Sequence, residues 1–284
     1  MSRLPPWLHK AFSLGKGAFG TASSIKKRGL CTVCEEAKCP NLPECYDQKR
    51  ATFLLLGSTC TRSCGFCSVG FCASPPLPDP EEPQMVAEYC RDNALQHIVL
   101  TMVTRDDLED GGVSHVVRVI REIRSLLPEA GCEVLTSDFD GKWSSVETLL
   151  NENPEIFAHN VETVRSLSPR VRCKATYKGS LSLLERIKKE RPKQATKSSL
   201  MVGLGETREE VFEAIDDLAR VGVDMITIGQ YLQPTSKQLK VKEWIHPDRF
   251  AEYGRRARES GIQEVMVGPF VRSSYAARPL TRRK

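Results

Sequence analysis

The sequence predicts an α/β fold, a full or partial (β/α) barrel with an extension at each end, and three observations predict it. Short apolar runs alternate with amphipathic stretches from about residue 51 to 268. The apolar runs are near-continuous rather than alternating, as in parallel strands covered by helices. A cysteine cluster directly follows the first run, at the strand end where barrel enzymes place their chemistry. The alternative architecture is an open doubly wound sheet.

The expected strands, in order, are 52–57, 97–101, 132–136, 155–160, 198–203, 225–229 and 264–268. Between them, Val113, Val116, Val117, Ile120, Ile123 and Leu127 recur at helical spacing on one face, and so do Val211, Phe212, Ile215, Leu218 and Ala219. Residues 1–50 break the pattern. They are rich in Gly, Pro, Lys and Cys and are expected to need something other than a hydrophobic core to order them. The run Gly15-Lys-Gly17-Ala-Phe-Gly20 looks like a kinase glycine loop, but no HRD or DFG follows, so it reads as a flexible segment. Residues after 268 are again irregular. The division is an N-terminal extension (1–50), a barrel (51–268) and a C-terminal tail (269–284).

The 284 residues are 40% hydrophobic and 27% charged, an ordinary globular balance. The longest apolar run, 53–56, falls far below the roughly 20 residues of a membrane helix. The opening residues carry no signal-peptide pattern. The expectation is a cytoplasmic protein without membrane contact. Net charge is +5, but it is uneven: residues 1–50 carry +5, residues 269–284 carry +5, and the middle carries −5.

Of 11 cysteines, eight fall between Cys31 and Cys72. In a reducing compartment, clustered thiols bind metal more often than they form disulfides. Cys60-Thr-Arg-Ser-Cys64-Gly-Phe-Cys67 has CxxxCxxC spacing. Three thiolates on one tight loop can hold three corners of a 4Fe-4S cubane and leave the fourth iron open to a small molecule. A four-ligand site completed by Cys72, or buried structural thiols, are the alternatives. Cys34, Cys39 and Cys45 form a second triplet that suits a second cluster or, with Cys31, a zinc knot. Cys90, Cys132 and Cys173 read as buried small hydrophobes.

These cysteines carry a resemblance. CxxxCxxC after a first barrel strand, with Phe66 before its last Cys, resembles the radical S-adenosylmethionine superfamily. Cys34-Glu-Glu-Ala-Lys-Cys39-Pro-Asn followed by Cys60–Cys67 resembles its lipoyl synthase family. Matches at 105–112, 159–163, 197–207, 229–234 and 268–275 spread the resemblance over most of the chain. It implies a partial TIM-type barrel of radical S-adenosylmethionine type. It also implies two 4Fe-4S clusters and S-adenosylmethionine as cofactors. Cys60, Cys64 and Cys67 would hold the cluster that cleaves S-adenosylmethionine to a 5′-deoxyadenosyl radical. Cys34, Cys39, Cys45 and Ser274, with Ser273 as fallback, would hold a second cluster. That cluster would give up sulfur to C6 and C8 of a protein-bound octanoyl chain. Phe66, Asn160 and Glu162 would contact S-adenosylmethionine, although Asn160 also suits a helix N-cap.

Arg105-Asp106-Asp107 either lines the site or forms a surface charge cluster. Gly203-Leu-Gly205 permits close backbone approach. The implied partners are octanoylated carriers, namely E2 subunits of 2-oxoacid dehydrogenases and the glycine cleavage H protein, and a reductant such as flavodoxin or ferredoxin. The basic ends would steer an acidic carrier domain, with no nucleic acid needed to explain them. The competing functions are a methylthiotransferase, a biotin synthase-like enzyme, and a non-enzymatic zinc or iron–sulfur module.

Overall fold

The structure is a computed structural model and describes residues 4–9 and 16–274. The chain forms two compact units. In described residues, one comprises 16–63 and 68–157, and the other comprises 4–9, 64–67 and 158–274.

The first unit opens with three helices, α1 (Lys16–Lys27), α2 (Val33–Glu36) and α3 (Leu42–Asp47). β1 (Thr52–Leu55) follows, buried at every position, and then β2 (Thr59–Cys60) and β3 (Gly70–Phe71), a two-strand parallel pair of their own. Next come α4 (Glu82–Asp92), β4 (His97–Met102), α5 (Val113–Leu126), β5 (Gly131–Leu135), α6 (Trp143–Asn151) and β6 (Ile156–Ala158). α5 buries the apolar stripe foreseen for it, with Val116, Ile120 and Ile123 excluded from solvent. β1 pairs with β4, and β4 with β5, in parallel register.

The second unit adds α7 (Ser168–Val171), α8 (Tyr177–Glu190), β7 (Thr196–Val202), α9 (Arg208–Arg220), β8 (Met225–Gln230), α10 (Pro247–Glu259) and β9 (Glu264–Gly268). Its core joins Val211, Ile215 and Leu218 of α9 to Leu200 and Val202 of β7, Ile226 and Ile228 of β8, and Phe250 and Tyr253 of α10. α9 starts at a capping box: the Thr207 hydroxyl accepts from the Glu210 N–H, and the Glu210 carboxylate accepts from the Thr207 N–H.

Seven strands run in the order β1-β4-β5-β6-β7-β8-β9. A doubly wound sheet would reverse its order partway along, so the sequential order selects the barrel type. Each of the seven expected strands is present, with ends shifted by at most three residues.

The N-terminal segment differs from expectation. Ala18, Thr21 and Ile25 line the buried side of α1, and Leu30 and Tyr46 are also buried. The Tyr46 hydroxyl meets the Thr32 hydroxyl at 2.7 Å, and the Thr21 hydroxyl donates to the Tyr46 carbonyl. This segment therefore buries apolar side chains as it folds. Lys16–Gly20 belong to α1, and the Gly17 N–H donates to Asp47, so these residues are helical; Gly15 lies outside the described residues.

Candidate functional site

In the first unit, the second triplet is fastened to β1. Thr32 caps α2 and bridges Phe53, and the Leu54 N–H donates to the Cys31 carbonyl at 2.9 Å. The Cys39 N–H donates to the Cys34 carbonyl, and the Cys45 N–H to that of Asn41. Burial pushes the Cys34 thiol up to about 12; the nearby Cys39 and Cys45 add to the rise, while hydrogen bonds from Thr52 oppose it. The fold thus brings Cys39 and Cys45 close enough to Cys34 to act on its thiol.

Cys60 ends β2, directly after the turn that follows β1. The Cys72 N–H donates to its carbonyl at 3.0 Å, and the Arg62 N–H donates to its Sγ at 3.3 Å. The Ser68 hydroxyl donates to the Glu36 carbonyl, tying this segment to α2. Arg62 is 5% exposed and forks onto Asp106 at 2.8 and 2.9 Å, with Asp138 at 2.8 Å. Burial opposes its charge, yet these carboxylates hold the guanidinium more firmly protonated than usual. Arg105 is only 1% exposed; it forks onto Asp107 and reaches the Leu56 and Pro75 carbonyls. Arg105 is a buried anchor beneath the β1 turn, so the surface-cluster reading does not hold for it, while Asp107 is exposed.

In the second unit, the Cys67 N–H donates to the Cys64 carbonyl, and the Gln238 side chain donates to the Cys67 carbonyl. Cys64 Sγ accepts from the Cys173 N–H at 3.4 Å. Cys90 and Cys132 are buried thiols as expected, but Cys173 is half-buried. Phe66 packs against Val171, Leu204 and Tyr231.

Asn160 follows β6 and donates through Nδ2 to Glu162 at 3.0 Å, while its buried Oδ1 has no partner. No helix begins at Asn160, which sets the N-cap reading aside. Glu162 has φ 66°, a left-handed conformation rare outside glycine. Its N–H donates to the Ser199 carbonyl, and its own carbonyl accepts from Met201. Desolvation pushes its carboxyl up, while Arg172 and Asn160 pull it down.

The close approach at Gly203 is internal. A Cβ there would lie 2.2 Å from Gln230 Nε2 and 2.5 Å from the Glu243 carbonyl oxygen. Ser274 is half-buried beyond β9, three residues after Val271, which rests on Gly229.

All eleven cysteines are free thiols. Those of both triplets are half-buried, and two already accept backbone N–H bonds, so the donors fit iron–sulfur ligation. Among the described residues, no three His, Cys, Asp or Glu side chains converge on a single metal ion. A cubane does not require that convergence, because it divides its thiolates among separate irons. The unpartnered Asn160 oxygen and the enclosed Glu162 carboxylate fit the cationic end of S-adenosylmethionine. Sequence reasoning missed Arg62, Asp138 and Arg172; the only local signal was an arginine lying between two candidate ligands.

Residues 54–218 match the Radical SAM superfamily. The chain is 50% identical over 279 residues to lipoyl synthase of Protochlamydia amoebophila, covering 98% of this chain and 86% of the relative. It is 49% identical to lipoyl synthase of Chlamydia felis, covering 97% and 88%. Streptococcus suis SuiB bound to S-adenosylmethionine shares the fold at a TM-score of 0.59 and 11% identity, over 81% of this chain and 53% of that one. The chain thus spans about half of that structure, whereas it spans most of both curated relatives. No helix among the described residues is long and apolar enough to cross a membrane. Near-complete coverage at this identity does not favour the other sulfur-inserting enzymes or a binding module, and the chain belongs to the lipoyl synthase family of radical S-adenosylmethionine enzymes.

Proposed function

We propose that the protein inserts two sulfur atoms, at C6 and C8, into an octanoyl group carried on a lysine of a partner protein, giving the lipoyl group. The observation that carries this reading is two separate triplets of free, half-buried thiols on a barrel whose close relatives are lipoyl synthases. In this reading Cys60, Cys64 and Cys67 hold one 4Fe-4S cluster with an open iron. Cys34, Cys39, Cys45 and Ser274 hold the other. When bound, the first cluster supplies an electron to S-adenosylmethionine and the second supplies sulfur.

The chain's own residues bind and orient. Asn160 Oδ1 and the Glu162 carboxylate accept hydrogen bonds from the amino end of S-adenosylmethionine, and Arg172 opposes the desolvation that raises the Glu162 carboxyl. Phe66 and its apolar neighbours exclude water. The Ser274 hydroxyl is a weaker iron ligand than thiolate, which suits a cluster that is dismantled in use. The carriers are the E2 subunits and the glycine cleavage H protein, and the electron donor is of flavodoxin or ferredoxin type. Eleven free thiols support work in a reducing cytoplasm.

The test is an anaerobic assay of the reconstituted chain, which should hold about eight irons on the two-cubane reading. It combines octanoylated peptide, S-adenosylmethionine and dithionite. Successive 6-thio-octanoyl and lipoyl products are expected. Their absence with both clusters filled overturns the reading.

A further inference from the structure

We propose that Arg62 is a positioning residue for the first cluster. Through Asp106 and Asp138 it locks the Cys60 side of the loop to the ends of β4 and β5. The proposal rests on the assignment of Cys60 as a cluster ligand.

Three sets of contacts fasten this segment. First, the Thr61 N–H and hydroxyl both donate to the Thr104 carbonyl at 3.0 Å, and the Asp106 N–H donates to the Thr61 hydroxyl at 3.0 Å. Thr61, directly after Cys60, is thereby zipped onto the segment leaving β4. Second, Arg62 Nε and one terminal nitrogen fork onto both oxygens of Asp106. Third, the remaining terminal nitrogen reaches Asp138 at 2.8 Å, while Asp140 lies 3.7 Å from the nitrogen that serves Asp106.

Asp138 is delivered by a strained turn. Phe139 and Asp140 are consecutive non-glycine residues with φ of 48° and 53°. The Ser137 hydroxyl and the Asp138 carboxylate brace the turn by accepting from the Phe139 and Asp140 N–H groups. Strain of this kind persists only where the surroundings over-determine it. A planar guanidinium that serves two carboxylates at fixed angles provides that constraint, and a lysine ammonium does not.

Asp106 and Asp138 are largely buried, and Arg62 faces both.

The test uses the full-length chain, reconstituted anaerobically, as wild type, Arg62→Met, Arg62→Lys, Asp138→Asn and Asp140→Asn. Three readouts are taken: iron per chain, the electron paramagnetic resonance spectrum after dithionite with and without S-adenosylmethionine, and the rate of S-adenosylmethionine cleavage. Arg62→Met is expected to bind less iron and to show an altered spectrum. Its cleavage rate per bound cluster should fall about a hundredfold, the scale of a roughly 1 Å misplacement. Arg62→Lys should restore iron but only part of the rate, and Asp138→Asn should shift the same spectrum with the fold intact. Asp140→Asn should match wild type. Wild-type spectrum and cleavage rate in both Arg62→Lys and Asp138→Asn would overturn the proposal. Failure of the wild type itself to cleave S-adenosylmethionine would instead overturn the assigned function.

Discussion

Replacing Gly229 with alanine tests how the C-terminal segment is held over the barrel. Gly229 lies near the end of β8, paired with Met201 of β7 on one side and Gly268 of β9 on the other. Its backbone is clamped from both sides and cannot retreat. A Cβ at this position would sit 2.0 Å from the Val271 carbonyl oxygen and 3.0 Å from the carbonyl carbon. Both are backbone atoms, so no rotamer change relieves the clash. Ordinary contact begins near 3.4 Å, so the segment must withdraw by about 1.4 Å. Overpacking of this kind costs about 1–3 kcal/mol. Gly→Ala also stiffens the unfolded chain, a gain of only about 0.4–1 kcal/mol, so the clash wins. The melting temperature should fall by a few degrees.

The larger effect is functional. The displaced segment carries Arg272, Ser273 and Ser274, and a shift on the order of 1 Å can cost about a hundredfold in rate. Lipoyl formation from an octanoylated peptide is expected to fall on that scale. S-adenosylmethionine cleavage should stay within a few-fold of wild type, because Asn160, Glu162 and the first triplet are untouched. Gly229→Ala with wild-type sulfur insertion would refute the claim that this contact positions Ser274.

Three further outcomes follow from particular residues. Glu162 has a raised carboxyl pKa in the folded chain, so it opposes folding increasingly as pH rises through and above the ordinary carboxylate range. Glu162→Gln should therefore melt higher than wild type at pH 7 and match it near pH 4, while binding S-adenosylmethionine more weakly; equal melting at both values would contradict the enclosed carboxylate. Ser274→Cys should retain the second cluster by iron count but release sulfur slowly, and wild-type turnover would count against a labile hydroxyl ligand. The KM for an acidic carrier domain should rise steeply with salt while that for a short octanoylated peptide changes little, and a salt-independent carrier KM would dismiss steering by the basic ends.

Much of this protein could be read from local pattern. Strand positions followed from apolar runs, because a parallel strand covered on both faces excludes polar residues along its length. The α5 and α9 faces followed from 3.6-residue periodicity. Both cysteine triplets were visible because ligand spacing within a loop is set covalently. α1 was not foreseen, since its glycines masked an Ala18, Thr21, Ile25 stripe that becomes apolar core only against Tyr46 and Leu30. Cys173 was misjudged because its surroundings depend on Cys64, 109 positions away.

The sequence by itself determined the α/β alternation, the two sets of candidate ligands and the family, all of which reside in short spacings along the chain. Only the tertiary structure decided which polar groups meet. Arg62 lies 44 positions from Asp106, and Asp138 is further still, yet one guanidinium serves both. The Val271 carbonyl comes to Gly229 in the same way. A buried charge or a close backbone contact depends on partners distant in the chain, and their convergence exists only after the strands have paired.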